Sequence, residues 1–588
     1  MPNGGHKNSM AMAPAQAVAP DTAPVQVADP AARAALKPAA MSSLCESLRN
    51  CCGPLAVLTD ARSRQLAAHD IFHQNSRWPE FVLAPQSVDG LSQAVAHISA
   101  AGLATAPRGG GMSYSGGFLP AEPYVCVDLS RLNQVLQVNT DDLYITVQAG
   151  CTWAQVHAAL AGTGYSTPYG GPLSGLRATV GGALSQNSMF FGAGQHGTAA
   201  ESVLGLDVVL ADGQRLRTGS GGFDGASPFA RWGGPDLTAL FLGDCGAFGI
   251  KAVATLRLVP APAAQGYASY GFSSIEDMVN AQVALMRAGL GSETFGIDAY
   301  KAKHSAQTGN KLTAGVKTLS KVALSGASLA QGLKAAAGVA LAGTDYLAIH
   351  PYSIHLVLDG DNPVHVQSRL DRVAHIAQQH CGTAQPASVP QVLRAQPFQP
   401  LRSVLGYNGD RWVPIHGIVP LSQALACVLA VEALIASHAE AMAQHGIVYS
   451  PLTANLDRAF LFEPCFYWSD QILPLHVEVL GESLTAPWQT RPAAPAARAL
   501  VTELWQEVCT CMDRFGAVHF QIGRAYPYLQ RLGASSQSLL TALKQQLDPQ
   551  SRLNPGSLGL GLGMTPASPP TQAPDLSSAR RPAHRAAD

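Results

Sequence analysis

Charge is scarce in this chain: Asp, Glu, Lys and Arg make up 13% of its 588 residues, and their balance leaves a formal net charge of −1. Such a chain lacks the basic footprint of a nucleic-acid-binding surface, and no block of like charge marks an interaction tail. Apolar runs of membrane-spanning length are missing as well. The nearest, "LKAAAGVALAGTDYLAI" from Leu333, is broken by Asp345 and flanked by Lys334, and is expected as a buried or interfacial helix. The first thirty residues have no apolar core behind a basic stretch, so no signal peptide is expected and the protein is read as soluble and cytoplasmic. Cysteine is present without ligand spacing: of eleven, Cys51 and Cys52 are adjacent, Cys509 and Cys511 stand one residue apart, and the rest are scattered. Closely paired cysteines of a zinc site are absent, and a disulfide framework does not suit a long chain of this kind. Buried or free thiols and no metal site are expected.

What is abundant is apolar mass and glycine. Hydrophobic residues make up 47% of the chain, enough for a substantial interior, and the length implies two or more domains. Residues 1–68 read as an Ala/Pro-rich extension, partly disordered, and 563–588 as a disordered Pro/Ala/Ser/Arg tail. Leu91, Val95 and Ile98 recur at helical spacing before Gly102. "YVCVDLSRL" from Tyr124 and "LYITVQAG" from Leu143 read as strands, and Thr152 with Gln155 as a capping box opening a helix. Val203–Gly219 reads as a hairpin turning at Asp212-Gly213, and "GIKAVATLRLVP" as a closing strand. Beyond Pro260, helices near 275–290, 316–342, 363–380 and 421–445 alternate with strands such as Tyr352–Gly360. A last amphipathic helix, "SSQSLLTALKQQLDP", precedes "RLNPGSLGL". The fold class expected is α+β.

"PRGGGMSYSGG", Pro107–Gly117, packs five glycines into eleven residues. No lysine follows them, which excludes a P-loop, and "MSYSGGFLPAEPY" cannot form the helix that a dinucleotide fingerprint requires. There remains a loop whose backbone N–H groups line up on an anion, with Arg108, Ser113 and Tyr114 adding donors, or a purely structural glycine loop. A second stretch, Pro168–Gly213, again places small residues where a ligand would touch backbone: Thr179, Gly181, Gly182, Ser185, Gly192 and Gly194. A third, "GDCGAFGIKAVATLRL", carries Gly246, Gly249 and Ile250 at the start of a strand.

In this order, and closed by "LDPQSRLNPGSLGL", these segments resemble the FAD-binding domain of the family that includes vanillyl-alcohol oxidase, p-cresol methylhydroxylase and the D-2-hydroxy-acid dehydrogenases. The resemblance implies a PCMH-type FAD-binding domain of two α+β subdomains at 69–262, an α+β cap (substrate) domain at 263–500, and a segment at 501–562 returning to the FAD domain through Asn554. It implies FAD as cofactor, with Arg108, Gly109, Gly110, Gly111, Met112, Ser113 and Tyr114 around the pyrophosphate. Pro172, Leu173, Ser174, Thr179, Gly181, Gly182 and Ser185 would line the flavin and ribityl chain, and Gly249 and Ile250 the adenine end. Met112 stands where several relatives carry a flavin-tethering histidine, so FAD is expected to be noncovalent.

The implied reaction is hydride transfer from a CH–OH substrate, an alcohol or 2-hydroxy acid, to flavin N5. Candidate groups are Tyr407, Arg411 and His416; Glu463, Tyr467, His476 and Glu478; and His519, Arg524 and Tyr526. Among them Arg411 and Arg524 are the expected anion binders, His519 and His476 the expected proton-handling groups, and Tyr467 a further catalytic candidate. The closely spaced histidines and Glu-His pair of the hydroxy-acid branch are not found; "HPYSIHLVLDGDN" is a loose echo, and His476 and Glu478 could share one strand face. The Tyr-Arg pair of the phenol branch is missing too. Oxidation of a para-substituted phenol or aromatic alcohol therefore stays open, as does a flavin-binding protein without turnover. The expected partners are a small-molecule substrate and an electron acceptor (oxygen, a quinone or a cytochrome), with a homodimer left open.

Overall fold

Three sheets of four or more strands, with a two-stranded pairing of Tyr165–Ser166 and Val259–Pro260, carry the chain in the computed structural model, which describes residues 36–307, 349–398 and 401–561. The expected helix at 316–342 and the apolar run from Leu333 lie outside the described residues. Helix Pro38–Cys52 opens with proline at its first turn and ends at Gly53, φ 97°. Its Leu44, Cys45 and Leu48 pack with Ala94 and Ile98 of helix Val88–Ala100 and with Val125. Part of the stretch read as an extension is thus a packed helix.

The first sheet runs in the order Val57–Leu58, Val82–Leu83, Tyr124–Asp128, Ala104–Arg108. Its last three strands are parallel, and helix Val88–Ala100 makes the crossover, capped by Ser87 with Leu91, Val95 and Ile98 buried. The second sheet is antiparallel, ordered Val135–Asn139, Tyr144–Gln148, Ile250–Arg257, Val203–Val209, Arg215–Arg217. Its hairpin turns at Gly213, φ 85°, and the Thr152–Gln155 capping box forms on helix Trp153–Leu160.

The third sheet is antiparallel throughout: Thr383–Gln385, Ala264–Phe272, Tyr352–Gly360, Glu293–Asp298, Val448–Leu456, Ala459–Trp468 and Arg411–Pro414, with Gly417–Val419 also pairing with Ala459–Trp468. Helices Ile275–Arg287, Ala424–Ser437 and Pro495–Asp513 bury Met278, Val428 and Leu504 in one cluster with Leu356 and Phe462 of this sheet. Side chains alternate along a strand, and two rows of this sheet matter below. Glu463, Cys465 and Tyr467 lie on one face of Ala459–Trp468, and Trp412 pairs directly with Tyr467 on the same face.

Candidate functional site

The glycine loop follows strand Ala104–Arg108 at the open end of the first sheet. Its start is held by Arg108, which donates to Asp128 at 3.0 Å. Its end is held by Asp70, which accepts from the Gly116 N–H at 2.7 Å, and by the Ser113 carbonyl, which accepts from Ile71 N–H at 2.9 Å. Between these anchors, no backbone N–H from Gly109 to Tyr114 finds a protein acceptor among the described residues. Six consecutive donors in a half-buried loop form an anion nest, and this donor set fits a diphosphate.

The same glycines serve a second purpose. A Cβ on Gly110 would lie 2.0 Å from the Arg177 carbonyl oxygen, and one on Gly109 2.2 Å from Thr179 Oγ1. Arg177 in turn donates to the Gly110 carbonyl at 2.8 Å. The glycines therefore let the first loop meet the second, beyond any contact with a ligand. In that second loop Pro172, Leu173 and Ser174 are half-buried, Thr179 caps helix Val180–Gln186, and Gly181, Gly182 and Ser185 fall within its first two turns. At the third segment, Gly249 lets Val208 and Phe241 pack close, and the Ile250 side chain is buried with Leu91 and Val209. Met112 packs with Ile71, Leu401 and Ile472.

Asn554 does more than return the chain to the loop. It sits at φ 41°, donates to the carbonyls of Gly117 at 2.6 Å and Cys245 at 2.5 Å, and accepts from Arg524 at 2.8 Å. Arg524 also donates to the Gly116 and Pro555 carbonyls at 2.8 and 2.7 Å, and burial pulls its pKa down to about 10. Asn554 and Arg524 together tie the glycine loop, the Cys245 turn and the C-terminal segment into one knot.

The remaining candidates divide clearly. Arg411 donates to the Phe72 carbonyl at 2.6 Å and lies over the Trp468 ring, and its buried guanidinium ties the large sheet to the segment at Phe72. His476 is fully buried: Nδ1 accepts from the Leu473 N–H at 3.0 Å and Nε2 lies 2.9 Å from the Ile71 carbonyl. Burial, with Arg411 next in weight, pushes its pKa to about 3, so it is a neutral connector. It belongs to helix Pro474–Leu480, where Glu478 pairs with Arg62, and the two do not share a strand face. His519 has both ring nitrogens engaged, at 2.6 Å from the His416 carbonyl and 3.0 Å from Asp513, and stacks on Tyr526. The Tyr526 hydroxyl accepts the His416 N–H at 2.8 Å. These two residues hold the His416 backbone.

His416 is the centre of the polar cluster that the fold assembles beside Tyr114 of the glycine loop. Its Nε2 lies 3.2 Å from the Tyr114 hydroxyl and 3.3 Å from Glu463 Oε2, while its buried Nδ1 has no partner among the described residues. Burial alone would raise the Glu463 carboxyl, but His416 and Lys301 outweigh it and hold the group below the ordinary carboxylate range. With Glu463 ionised, the imidazole donates to it through Nε2–H, and in the neutral ring that tautomer leaves Nδ1 as the lone-pair acceptor. Tyr467, from the same row as Glu463, accepts from Lys301 Nζ at 2.8 Å. The rings of Tyr114, Trp412 and Tyr467 pack in a row beside this pair, with Tyr114 and Trp412 centred 5.7 Å apart. Among the described residues, no group of three His, Cys, Asp or Glu side chains is placed to hold a metal ion. No described helix is long and apolar enough to cross a membrane.

Residues 79–219 match the family model described as an FAD binding domain. The chain carries a PCMH-type FAD-binding domain, and FAD is the cofactor it is built to hold. The chain is 31% identical over 258 residues to the probable mitochondrial D-lactate dehydrogenase of Danio rerio, covering 44% of this chain and 51% of that protein. It is 32% identical over 217 residues to the glycolate oxidase subunit GlcD of Bacillus subtilis, covering 37% of this chain and 45% of that protein. The chain thus spans about half the length of these curated relatives. Solved structures share its fold: p-cresol methylhydroxylase with substrate bound, at TM-score 0.66 and 15% identity over 90% of this chain and 98% of that one, is one. The 4-ethylphenol oxidase of Gulosibacter chungangensis, at TM-score 0.66 and 16% identity over 89% and 98%, is another.

Proposed function

We propose that the protein is an FAD-dependent oxidoreductase that oxidises a CH–OH group of an alcohol or 2-hydroxy acid. The observation that carries this reading is His416, whose unpartnered Nδ1 is buried among aromatic rings next to the FAD loop. The names of the relatives, a D-lactate dehydrogenase and a glycolate oxidase subunit, support the substrate class. Bound FAD supplies the acceptor for the hydride and for the electron pair it carries. The protein's own groups handle the proton: Nδ1 of His416 takes it from the substrate hydroxyl, and the Glu463 carboxylate stabilises the imidazolium that forms. Tyr114, whose hydroxyl burial keeps far above its usual titration range, stays protonated as a donor at the same centre. The aromatic walls exclude water and orient the substrate. Electrons leave to an external acceptor, namely oxygen, a quinone or a cytochrome.

Replacing His416 by Gln tests the assignment. The anaerobic rate of flavin reduction by substrate should fall by about 10²–10⁴-fold, with FAD content unchanged. An unchanged rate would remove His416 from the chemistry. The phenol reading keeps one support of its own: the aromatic row of Tyr114, Trp412 and Tyr467 offers rings against which an aromatic substrate can pack.

A further inference from the structure

We propose that Lys301, with Tyr467, forms the subsite that binds an anionic oxygen of the substrate, at the Tyr467 end of the aromatic row that begins at Tyr114 beside His416. The inference rests on the oxidoreductase reading and names which chemistry its substrate must carry.

Lys301 stands at the start of helix Ala299–Gln307, directly after strand Glu293–Asp298. Its backbone is fixed: the Lys301 N–H donates to Asp298 Oδ1 at 2.9 Å, and that oxygen also accepts from Ser450 Oγ at 2.7 Å. The side chain then reaches the large sheet, where Nζ donates to the Tyr467 hydroxyl at 2.8 Å and sits 5.5 Å from the centroids of both Trp412 and Tyr467. Those two rings stack at 19°.

An ammonium carries three donors. Among the described residues Lys301 Nζ has one hydrogen-bond acceptor, a neutral phenol. Burial opposes the charge, yet the Glu463 carboxylate and the hydrogen bond to Tyr467 favour the ammonium and keep the proton on the amine. Burial also raises the Tyr467 hydroxyl, so it remains a phenol. Two carboxylates lie near the amine: Glu463 is paired with His416 at 3.3 Å, and Asp298 accepts from the Lys301 N–H and from Ser450 rather than from Nζ. A half-buried cation with donors to spare, held on an aromatic floor, is a receptor for an oxyanion. Sequence alternation sets the spacing. Glu463 and Tyr467 are four residues apart on one strand face, which separates their backbones by about 13 Å. The anion is therefore bound apart from the carbon that His416 serves. This pair supplies what the missing Tyr-Arg dipeptide would have supplied near residues 514–516.

A carboxylate and a phenolate share this chemistry, and one experiment separates them. The FAD-loaded protein is titrated with benzoate, with 4-nitrophenolate and with neutral benzamide, each followed by the perturbation of flavin absorbance. Lys301→Met should weaken the anions by about 10–100-fold and leave benzamide binding and FAD content as they are. Lys301→Arg should restore most of the loss. The anion bound more tightly by the unmodified protein identifies the substrate's anionic group. Equal anion affinity in the Met variant, or no anion binding by the unmodified protein, overturns the subsite. If anions bind through Lys301 but no CH–OH donor bleaches the flavin, the oxidoreductase reading fails and the subsite stands.

Discussion

At the scale of single residues, burial has turned several charged and titratable side chains into fixed connectors. His476 and His355 are both fully buried and both have pKa values pushed down to about 3, His355 between Ser269 and Ser353. An unfolded histidine titrates near 6.5. Between these values the unfolded chain binds more protons than the folded one, so stability falls as pH drops below about 6.5 and continues to fall towards 3. Each histidine contributes up to about 1.4 kcal/mol per pH unit in that window. Thermal melts from pH 7 to 4.5 should show a steady decline, made shallower by His476→Gln. A melting temperature that does not change with acidification would contradict the buried neutral state.

The same scale shows what sequence could not reveal about the site. A histidine or arginine in a cap is visible in the sequence, but its partner is not. Arg524 and Arg411 have the charge of anion binders, yet backbone carbonyls of Gly116 and Phe72 consume their donors. His519 has the chemistry of a base, yet the His416 carbonyl and Asp513 occupy both nitrogens. His416 and Glu463 stood among the candidates without distinction until strand pairing brought them within 3.3 Å. Lys301 had no local signal at all. Its role depends on helix Ala299–Gln307 approaching a strand that lies more than 150 residues further along the chain.

Elements were far more legible, because their signals are local. The capping box at Thr152, the hairpin at Gly213 and the helix bearing Leu91, Val95 and Ile98 all form where spacing and turn chemistry place them. The glycine loop was legible as a donor array, but its packing against Arg177 was not, since that contact joins two loops. Gly110→Ala follows from the packing: its Cβ cannot coexist with the Arg177 carbonyl at 2.0 Å. The variant should lose most of its FAD and melt at lower temperature even with the cofactor removed. A loss confined to FAD, with the apoprotein's melting temperature unchanged, would assign the glycine to ligand clearance alone. Acid precipitation provides the FAD count. With methionine at position 112, all of the colour from the unmodified protein is expected in the supernatant.

At the scale of the whole molecule, three distant segments converge on one place. The loop after the first sheet brings six open N–H donors and Tyr114. The large sheet brings the row Glu463, Cys465, Tyr467 and the neighbouring Trp412. The C-terminal segment, through Asn554 and Arg524, locks the loop in position. The combination sets the His416–Glu463 pair and the Lys301 ammonium along one aromatic row beside the glycine loop, and the proposed oxidation of hydroxylated substrates rests on that juxtaposition. The most direct measurement is anaerobic titration of the FAD-loaded protein with D- and L-2-hydroxy acids, simple and aromatic alcohols and para-substituted phenols, following flavin absorbance. The account predicts that at least one CH–OH compound bleaches the flavin completely at one equivalent per FAD. Bleaching by dithionite but by none of these donors would contradict it.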